Sequence, residues 1–208
     1  MLAVGTGAQR SIQKQMSGLG TNLLGVMPGM FRQGGMGMGA GAVSRLTIED
    51  AKAIAAEIPN VTRTDSNVSG NAQVVYGSKN QRTNVTGAGA VYASMRNSQP
   101  YFGRFFSDEE GARLAKVALL GNTVVKELLG GENPVGKSIK INRKNFTVIG
   151  VLPLKGAGGM RDQDDVVIVP LQTAMKVILG KTFVDSVWVE VSDFKLMPEV
   201  QEEIKALL

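Results

Sequence analysis

Residues 122–154, NTVVKELLGGENPVGKSIKINRKNFTVIGVLPL, contain a nucleotide-binding motif together with the signals that contradict it. The string GENPVGKS matches the phosphate-loop pattern G-x-x-x-x-G-K-S, with Gly131, Gly136, Lys137 and Ser138 at its defining positions. A phosphate loop follows a strand and opens a helix, because the N–H groups and the dipole of that helix bind the phosphates. The order of the flanking elements therefore decides between an ATP site and a turn.

The flanking elements occur in the reverse order. Residues 122–129 carry apolar pairs at helical spacing and are followed by two glycines, which predicts a helix that ends at Gly130. After the motif, Ile139 and Ile141 alternate with polar residues, residues 143–145 predict a polar turn, and the run FTVIGVL predicts a second strand. We interpret residues 131–138 as a glycine turn between a helix and a hairpin, with Lys137 as a solvated charge.

The rest of the chain predicts an α+β fold. Residues 48–58 form the clearest helix, capped by Thr47 and followed by Pro59. We predict further helices at 7–19, 171–179 and 198–208, and strands at 61–69, 72–77, 82–88, 116–121, 164–170 and 183–193. The outer segments resemble one layer of helices on a sheet, and the inner stretch, 78–180, is richer in short strands and is interpreted as an insertion.

Composition excludes several kinds of chemistry. The 208 residues include no cysteine and no histidine, so thiol nucleophiles, disulfides, zinc sites built on these residues and imidazole catalysis are absent. The net charge of +5 is scattered and aromatic residues make up 5% of the chain, so no nucleic-acid partner is predicted. No stretch approaches the length of a membrane span. Both ends look helical and apolar, so we expect a piece of a longer protein.

Three clusters are weighed as sites. The glycine-dense loop 30–43 holds Met30, Phe31, Met36 and Met38, which we interpret as an adaptable partner contact, with simple disorder as an open alternative. The acidic run 162–165 lacks the glycine and distal glutamate of a calcium loop and is interpreted as a polar turn. The carboxylates of residues 108–110 fit the first turn of a helix. Trp188, on an alternating strand, is expected in the core.

An ordered set of blocks resembles a known family. These blocks are LAVGTGAQRSIQKQMSGLGTNLLGVMPG, LTIEDAKAIAAEIPNV, GRFFSDEE, residues 116–156 and DQDDVVIVPLQTAMKVILG. Together they resemble the extracytoplasmic core domain that lies between the first two transmembrane helices of MacB-type ABC transporter permeases. The resemblance implies a membrane-proximal helix at 1–19 that continues a transmembrane helix. It also implies a porter-like lobe at 20–77 and 181–208, and an inserted, strand-rich sabre-like lobe at 78–180.

The resemblance also implies a function without catalysis in this domain. It implies that ATP binds a separate cytoplasmic domain or subunit, which acts through the membrane helices of a homodimeric permease in the inner membrane. This domain, outside the cytoplasm, would couple ATP hydrolysis to export with a periplasmic adaptor, a membrane fusion protein. No cofactor and no metal are expected in it. Two alternatives stay open: the outer domain of a lipoprotein-release or cell-wall-regulating permease, and a soluble ligand-binding module.

Overall fold

A computed structural model describes residues 22–28, 45–158 and 161–208 and shows helices and strands mixed along the chain, as the predicted α+β class requires. Its strands are β1 (Leu23–Val26), β2 (Val61–Tyr76), β3 (Lys79–Ala88), β4 (Phe102–Gly103), β5 (Val117–Leu120), β6 (Ser138–Ile141), β7 (Lys144–Val151), β8 (Ala157–Gly158), β9 (Arg161–Asp162), β10 (Val166–Pro170) and β11 (Ser186–Val191). Its helices are α1 (Ile48–Glu57), α2 (Tyr92–Met95), α3 (Asp108–Ala112), α4 (Asn122–Leu129), α5 (Leu171–Thr173, continued by wider π turns over Ala174–Leu179) and α6 (Met197–Leu207).

Strand β2 belongs to two sheets. Its first part, through Asn67, pairs with β11, and β11 pairs with β1, both antiparallel. From Val68 onward β2 pairs with β3 instead. The prediction of two strands, 61–69 and 72–77, was wrong because Gly70 does not turn the chain. A Cβ at Gly70 would lie 2.7 Å from Leu179, so this glycine lets the helical segment approach an uninterrupted strand. We call β1, β11 and the first part of β2 the terminal sheet.

Six strands close on themselves. The pairings run from β2 to β3, β10, β5, β7 and β6, and β6 pairs back onto β2. We call this closed set the strand ring. Its buried side chains include Val74, Val85, Ile141 and Phe146, which belong to one apolar cluster with Leu128 of α4. A small ring of strands is filled by its own side chains, so this element is a packed core rather than a channel.

Two helices pack on the terminal sheet. The predicted cap of α1 is present, because the Thr47 hydroxyl accepts from the Asp50 N–H at 3.1 Å. Ile54 of α1 and Ile204 of α6 are fully buried in the same cluster as Val189 of β11. This arrangement of helices on a sheet agrees with the prediction for the outer segments of the chain.

The hairpin after the glycine turn is present, with its turn displaced by one residue. The turn consists of Asn142 and Arg143, both with positive φ (45° and 68°), whereas the sequence analysis placed it at residues 143–145. A two-residue turn with left-handed residues matches the twist of its two strands, and asparagine tolerates that conformation. Earlier in the chain, Gly130 ends α4 with a φ of 66°, as predicted.

Two expectations are not decided by these pairings. The helix predicted at 7–19, and with it the membrane-proximal segment 1–19, lies outside the described residues. The division into lobes, 20–77 with 181–208 and 78–180, stays a prediction; β2 carries pairings of both the terminal sheet and the strand ring. Within the described ranges, no helix is long and apolar enough to cross a membrane.

Candidate functional site

The false phosphate loop lies between a helix and a strand in the structure. Helix α4 precedes Gly131, and β6 begins at Ser138, so the loop follows a helix and opens a strand, the reverse of a phosphate loop. The Lys137 ammonium pairs with Glu132 at 2.6 Å and lies 5.5 Å from the centre of the Tyr76 ring. Gly136 has a φ of 85°, which is the turn conformation that a glycine allows. That these residues hold no phosphate stays a prediction.

The methionine-rich partner contact cannot be placed. Met30, Phe31, Met36 and Met38 all lie outside the described residues, so their role stays a prediction. The structure does describe the carboxylates at residues 108–110. The Ser107 hydroxyl accepts from the Glu110 N–H, and Glu110 accepts two bonds of 2.7 Å from Arg104.

A polar cleft of about 500 Å³ lies on the outside of the strand ring. Its floor is formed by β3, with Arg82, Asn84 and Thr86, and by β10. One wall is α2 and the residues that follow it, and the other consists of Leu152, Pro153, Lys155 and residues 162–165. We call this feature the polar cleft. Its volume falls in the range of small-molecule sites, and its lining carries both charged and neutral hydrogen-bonding groups.

Arg96 is the central cation of the polar cleft. Its guanidinium carbon lies 3.7 Å from the centre of the Trp188 ring and 5.9 Å from that of Tyr92. Its Nε atom is buried and has no hydrogen-bond partner among the described residues. Burial lowers the pKa of Arg96, with partial opposition from Tyr92 and Asp65. Trp188, expected in the core, is therefore half-buried beneath an arginine, on the face of β11 opposite the buried Val187 and Val189.

Lys155 places a second cation beside Arg96. Its ammonium group donates to the Ser98 hydroxyl at 2.6 Å and to the Arg96 carbonyl at 3.3 Å. Lys155 as a residue is exposed, but Ser98 is only 1% exposed, so the ammonium group contacts a buried hydroxyl in the wall of the cleft. Burial of this group and the nearby positive charge of Arg96 both lower the pKa of Lys155.

The acidic run forms the turn that the sequence predicted, and its carboxylates are occupied. Asp164 accepts from the N–H groups of Lys155 and Gly156, and Asp162 accepts from the Thr123 hydroxyl at 2.6 Å. Asp165 accepts from Thr83 and from Gln81. Across the described ranges, no three acidic side chains are grouped as a metal ion would require.

A buried carboxylate lies behind Arg96. Asp65, in the middle of β2, is 4% exposed, and its oxygens accept from the Gly89 N–H at 2.8 Å and the Asn67 amide at 2.7 Å. Burial raises the pKa of Asp65 to about 6, although both hydrogen bonds and the charge of Arg96 act in the opposite direction. Asp65 lies opposite Trp188 in the strand pairing, so the terminal sheet and the polar cleft meet at these three side chains.

Sequence reasoning did not identify Arg96, Lys155 or Asp65. Each is isolated in the sequence and belongs to no motif, and Arg96 and Lys155 are separated by 59 positions. The one available signal is an aspartate in the middle of a strand whose neighbours are buried, because a charged residue at such a position requires specific partners.

The chain matches a known family over residues 1–207 of its 208. The profile described as MacB-like periplasmic core domain matches residues 1–207. The Macrolide export ATP-binding/permease protein MacB of Bdellovibrio bacteriovorus is 47% identical over 208 residues, which are 100% of this chain and 32% of that protein. The chain thus spans about a third of the length of this curated relative.

Solved structures agree with the profile match. The crystal structure of the periplasmic region of MacB from Actinobacillus actinomycetemcomitans superposes with a TM-score of 0.74 at 25% identity, covering 95% of this chain and 89% of that one. The extracellular domain of the ABC-type transporter YknZ from Gram-positive bacteria shares the fold, with a TM-score of 0.69 at 18% identity, covering 79% of this chain and 82% of that one. The resemblance seen in the sequence blocks is confirmed, and the chain belongs to the family of MacB-like periplasmic core domains.

Proposed function

We propose that this chain is the extracytoplasmic domain of a dimeric inner-membrane ABC transporter permease and that it couples cytoplasmic ATP hydrolysis to export through a periplasmic adaptor. The observation that carries the proposal is the family match over residues 1–207. It is supported by a relative that is named as an export ATP-binding/permease protein and is 47% identical over all of this chain.

The packing of the domain fits a mechanical role. One apolar cluster joins Val189 of the terminal sheet, Val74 of β2 and Phe146 of the strand ring. Because β2 runs through both sheets without a break, a displacement applied to one of them is carried to the other. A rigid body of this kind transmits motion without chemistry of its own, so we propose that ATP is hydrolysed in another part of the transporter and that this domain uses no cofactor.

The coupling is tested by changing the connection at the end of α6. In the full-length transporter, a flexible Gly-Ser insert directly after Leu208 should leave ATP hydrolysis intact and abolish export, because a flexible chain does not transmit a push. The matched control is a helical insert of equal length, which keeps the connection stiff and should retain export. Both variants are reconstituted in vesicles with the adaptor, and ATPase activity and transport are measured together.

Two results would count against the proposal. Equal export by the flexible and helical inserts would show that no motion passes through this connection. Full export in vesicles that lack the adaptor would remove the adaptor from the proposal, and would favour a permease that acts on its substrate without that partner.

A further inference from the structure

The polar cleft holds two cations that form no salt bridge with a described residue, although the charges of Asp65 and Asp164 lie near them. Neither Arg96 nor Lys155 forms an ion pair with any described residue, and both line the cleft. Among the described residues, the Lys155 ammonium donates to two neutral oxygens, those of the Ser98 hydroxyl and the Arg96 carbonyl, whereas the backbone N–H of Lys155 donates to Asp164. Two neighbouring like charges that are partly removed from water repel each other, and the protein supplies no counter-charge in direct contact.

The carboxylates nearest to this pair are already committed. Both oxygens of Asp164 accept from backbone N–H groups of the turn that Asp164 itself holds. Both oxygens of Asp65 accept from Gly89 and Asn67 behind the guanidinium. Neither carboxylate is free to rotate toward the cations without leaving a buried backbone donor unpaired, which is costly.

Stacking explains the position of Arg96 but not its unused donors. Contact between a guanidinium and an indole is favourable, and it holds the guanidinium carbon of Arg96 3.7 Å from the centre of the Trp188 ring. It satisfies no N–H group, and the Nε of Arg96 is buried without an acceptor among the described residues. A guanidinium is a planar fork of N–H donors, which a carboxylate or a phosphate accepts in pairs.

We infer that the polar cleft binds an oxyanion, a carboxylate or phosphate group carried on a hydroxylated small molecule or headgroup, between Arg96 and Lys155. The guanidinium and the ammonium would hold the anionic oxygens. The neutral side chains of Asn84 and Thr86, on the floor of the cleft, would accept and donate hydrogen bonds to hydroxyl groups. This inference concerns a binding site on the isolated chain and stands or falls independently of the export proposal.

The chain carries its own reporter for this site. Trp188 is its single tryptophan and lies directly beneath Arg96, so an anion bound at the guanidinium should change the indole fluorescence. The 208-residue chain is titrated with inorganic phosphate, glucose 6-phosphate and glucuronate, and with glucose as the neutral comparison. Vesicles of phosphatidylglycerol, compared with phosphatidylcholine, test whether the same chemistry is offered by a lipid headgroup.

Four variants make the titration specific. Arg96→Gln and Lys155→Gln should each weaken binding at least about tenfold, because each removes charge-assisted hydrogen bonds. Lys140→Gln, on the exposed face of β6 and outside the cleft, should leave binding unchanged. Arg96→Lys keeps the charge without the fork-shaped donor set and should bind with intermediate strength. Melting temperatures are measured alongside to show that each variant is folded.

The outcomes separate cleanly. Saturable binding of the soluble anions that depends on Arg96 and Lys155 supports the inference with a free anion as the ligand. The same dependence seen only with phosphatidylglycerol vesicles supports it with a headgroup as the ligand. Binding weaker than about 10 mM for every probe, equal binding of glucose, or binding that ignores both glutamine variants would overturn it.

Discussion

Replacing Asp65 by asparagine should make the protein less stable than the parent at mildly acidic pH and more stable than the parent at mildly alkaline pH. The carboxyl group is 4% exposed, and burial raises its pKa from the ordinary value of 3.8 to about 6. Between these two values the folded protein binds more protons than the unfolded chain. The stabilising effect of the protonated Asp65 carboxyl is therefore fully present below about pH 4 and is lost as the pH rises through about 6.

The size of the effect follows from the same shift. A rise of about two pKa units corresponds to about 3 kcal/mol, which is the cost of carrying Asp65 as an ion in the folded state above about pH 7. Asparagine cannot ionise, and its amide oxygen still accepts from the Gly89 N–H. Its NH₂ group faces the Asn67 amide instead of accepting from it, which loses about 1 kcal/mol. The variant should thus be about 1 kcal/mol less stable than the parent near pH 4 and about 2 kcal/mol more stable near pH 7.5.

Urea unfolding followed by circular dichroism at a series of pH values measures this difference directly. Glu190→Gln is the control of opposite sign, because the hydrogen bond from Arg63 lowers the pKa of Glu190. The stability that the ionised Glu190 contributes is present above the ordinary pKa of a glutamate, and it is lost as the pH falls through the lowered pKa of the folded state. A difference between Asp65→Asn and the parent that stays constant from about pH 4 to about pH 7.5 would refute the reasoning, since the carboxyl would then titrate alike in both states.

Three further substitutions test the core, the cleft and the glycine turn. Phe146→Ala, at the centre of the strand ring, should cost about 3–5 kcal/mol in urea unfolding, and a loss below about 1 kcal/mol would show that the ring is not tightly packed. Gly121→Ala should cost about 1–3 kcal/mol, since its Cβ would lie 2.2 Å from the Asp164 carbonyl oxygen; an unchanged melting temperature would contradict this close contact. Lys137→Ala should leave the melting temperature unchanged, and equilibrium dialysis should detect no ATP binding by the variant or the parent; binding by the parent alone would restore the phosphate-loop reading.

The elements that local signals specify were predictable from the sequence. The helix α4 and the hairpin after it follow from apolar spacing, a left-handed glycine at residue 130 and a polar turn, all within 30 residues. The cap of α1 by Thr47 follows equally from neighbours along the chain. Even here the turn begins one residue earlier than predicted. Asn142 takes up the left-handed conformation, which asparagine tolerates well.

The features that depend on pairing between distant segments were not predictable. The strand ring closes through contacts between β2 and β6, which lie more than 60 positions apart, and nothing in either strand specifies its partner. The short helix α2 has four residues and no capping side chain, so no local pattern marked it. Since α2 orients Arg96 and the ring provides the floor beneath it, the polar cleft exists only once both are in place.

Polar and cation–aromatic contacts add to the apolar packing at the junction beside the polar cleft, where Ala93 and Met95 of α2 are buried. Arg63 of the terminal sheet donates to the Ser94 hydroxyl of α2 at 2.8 Å, and Arg96 stacks on Trp188. Asp65 binds the backbone of Gly89, directly after β3. Polar contacts depend on geometry and charge more steeply than apolar ones, so this is the place where protonation or an anion would change how tightly α2 is held. In the relay that we propose, an anion bound at this junction would act on the contact between the two sheets.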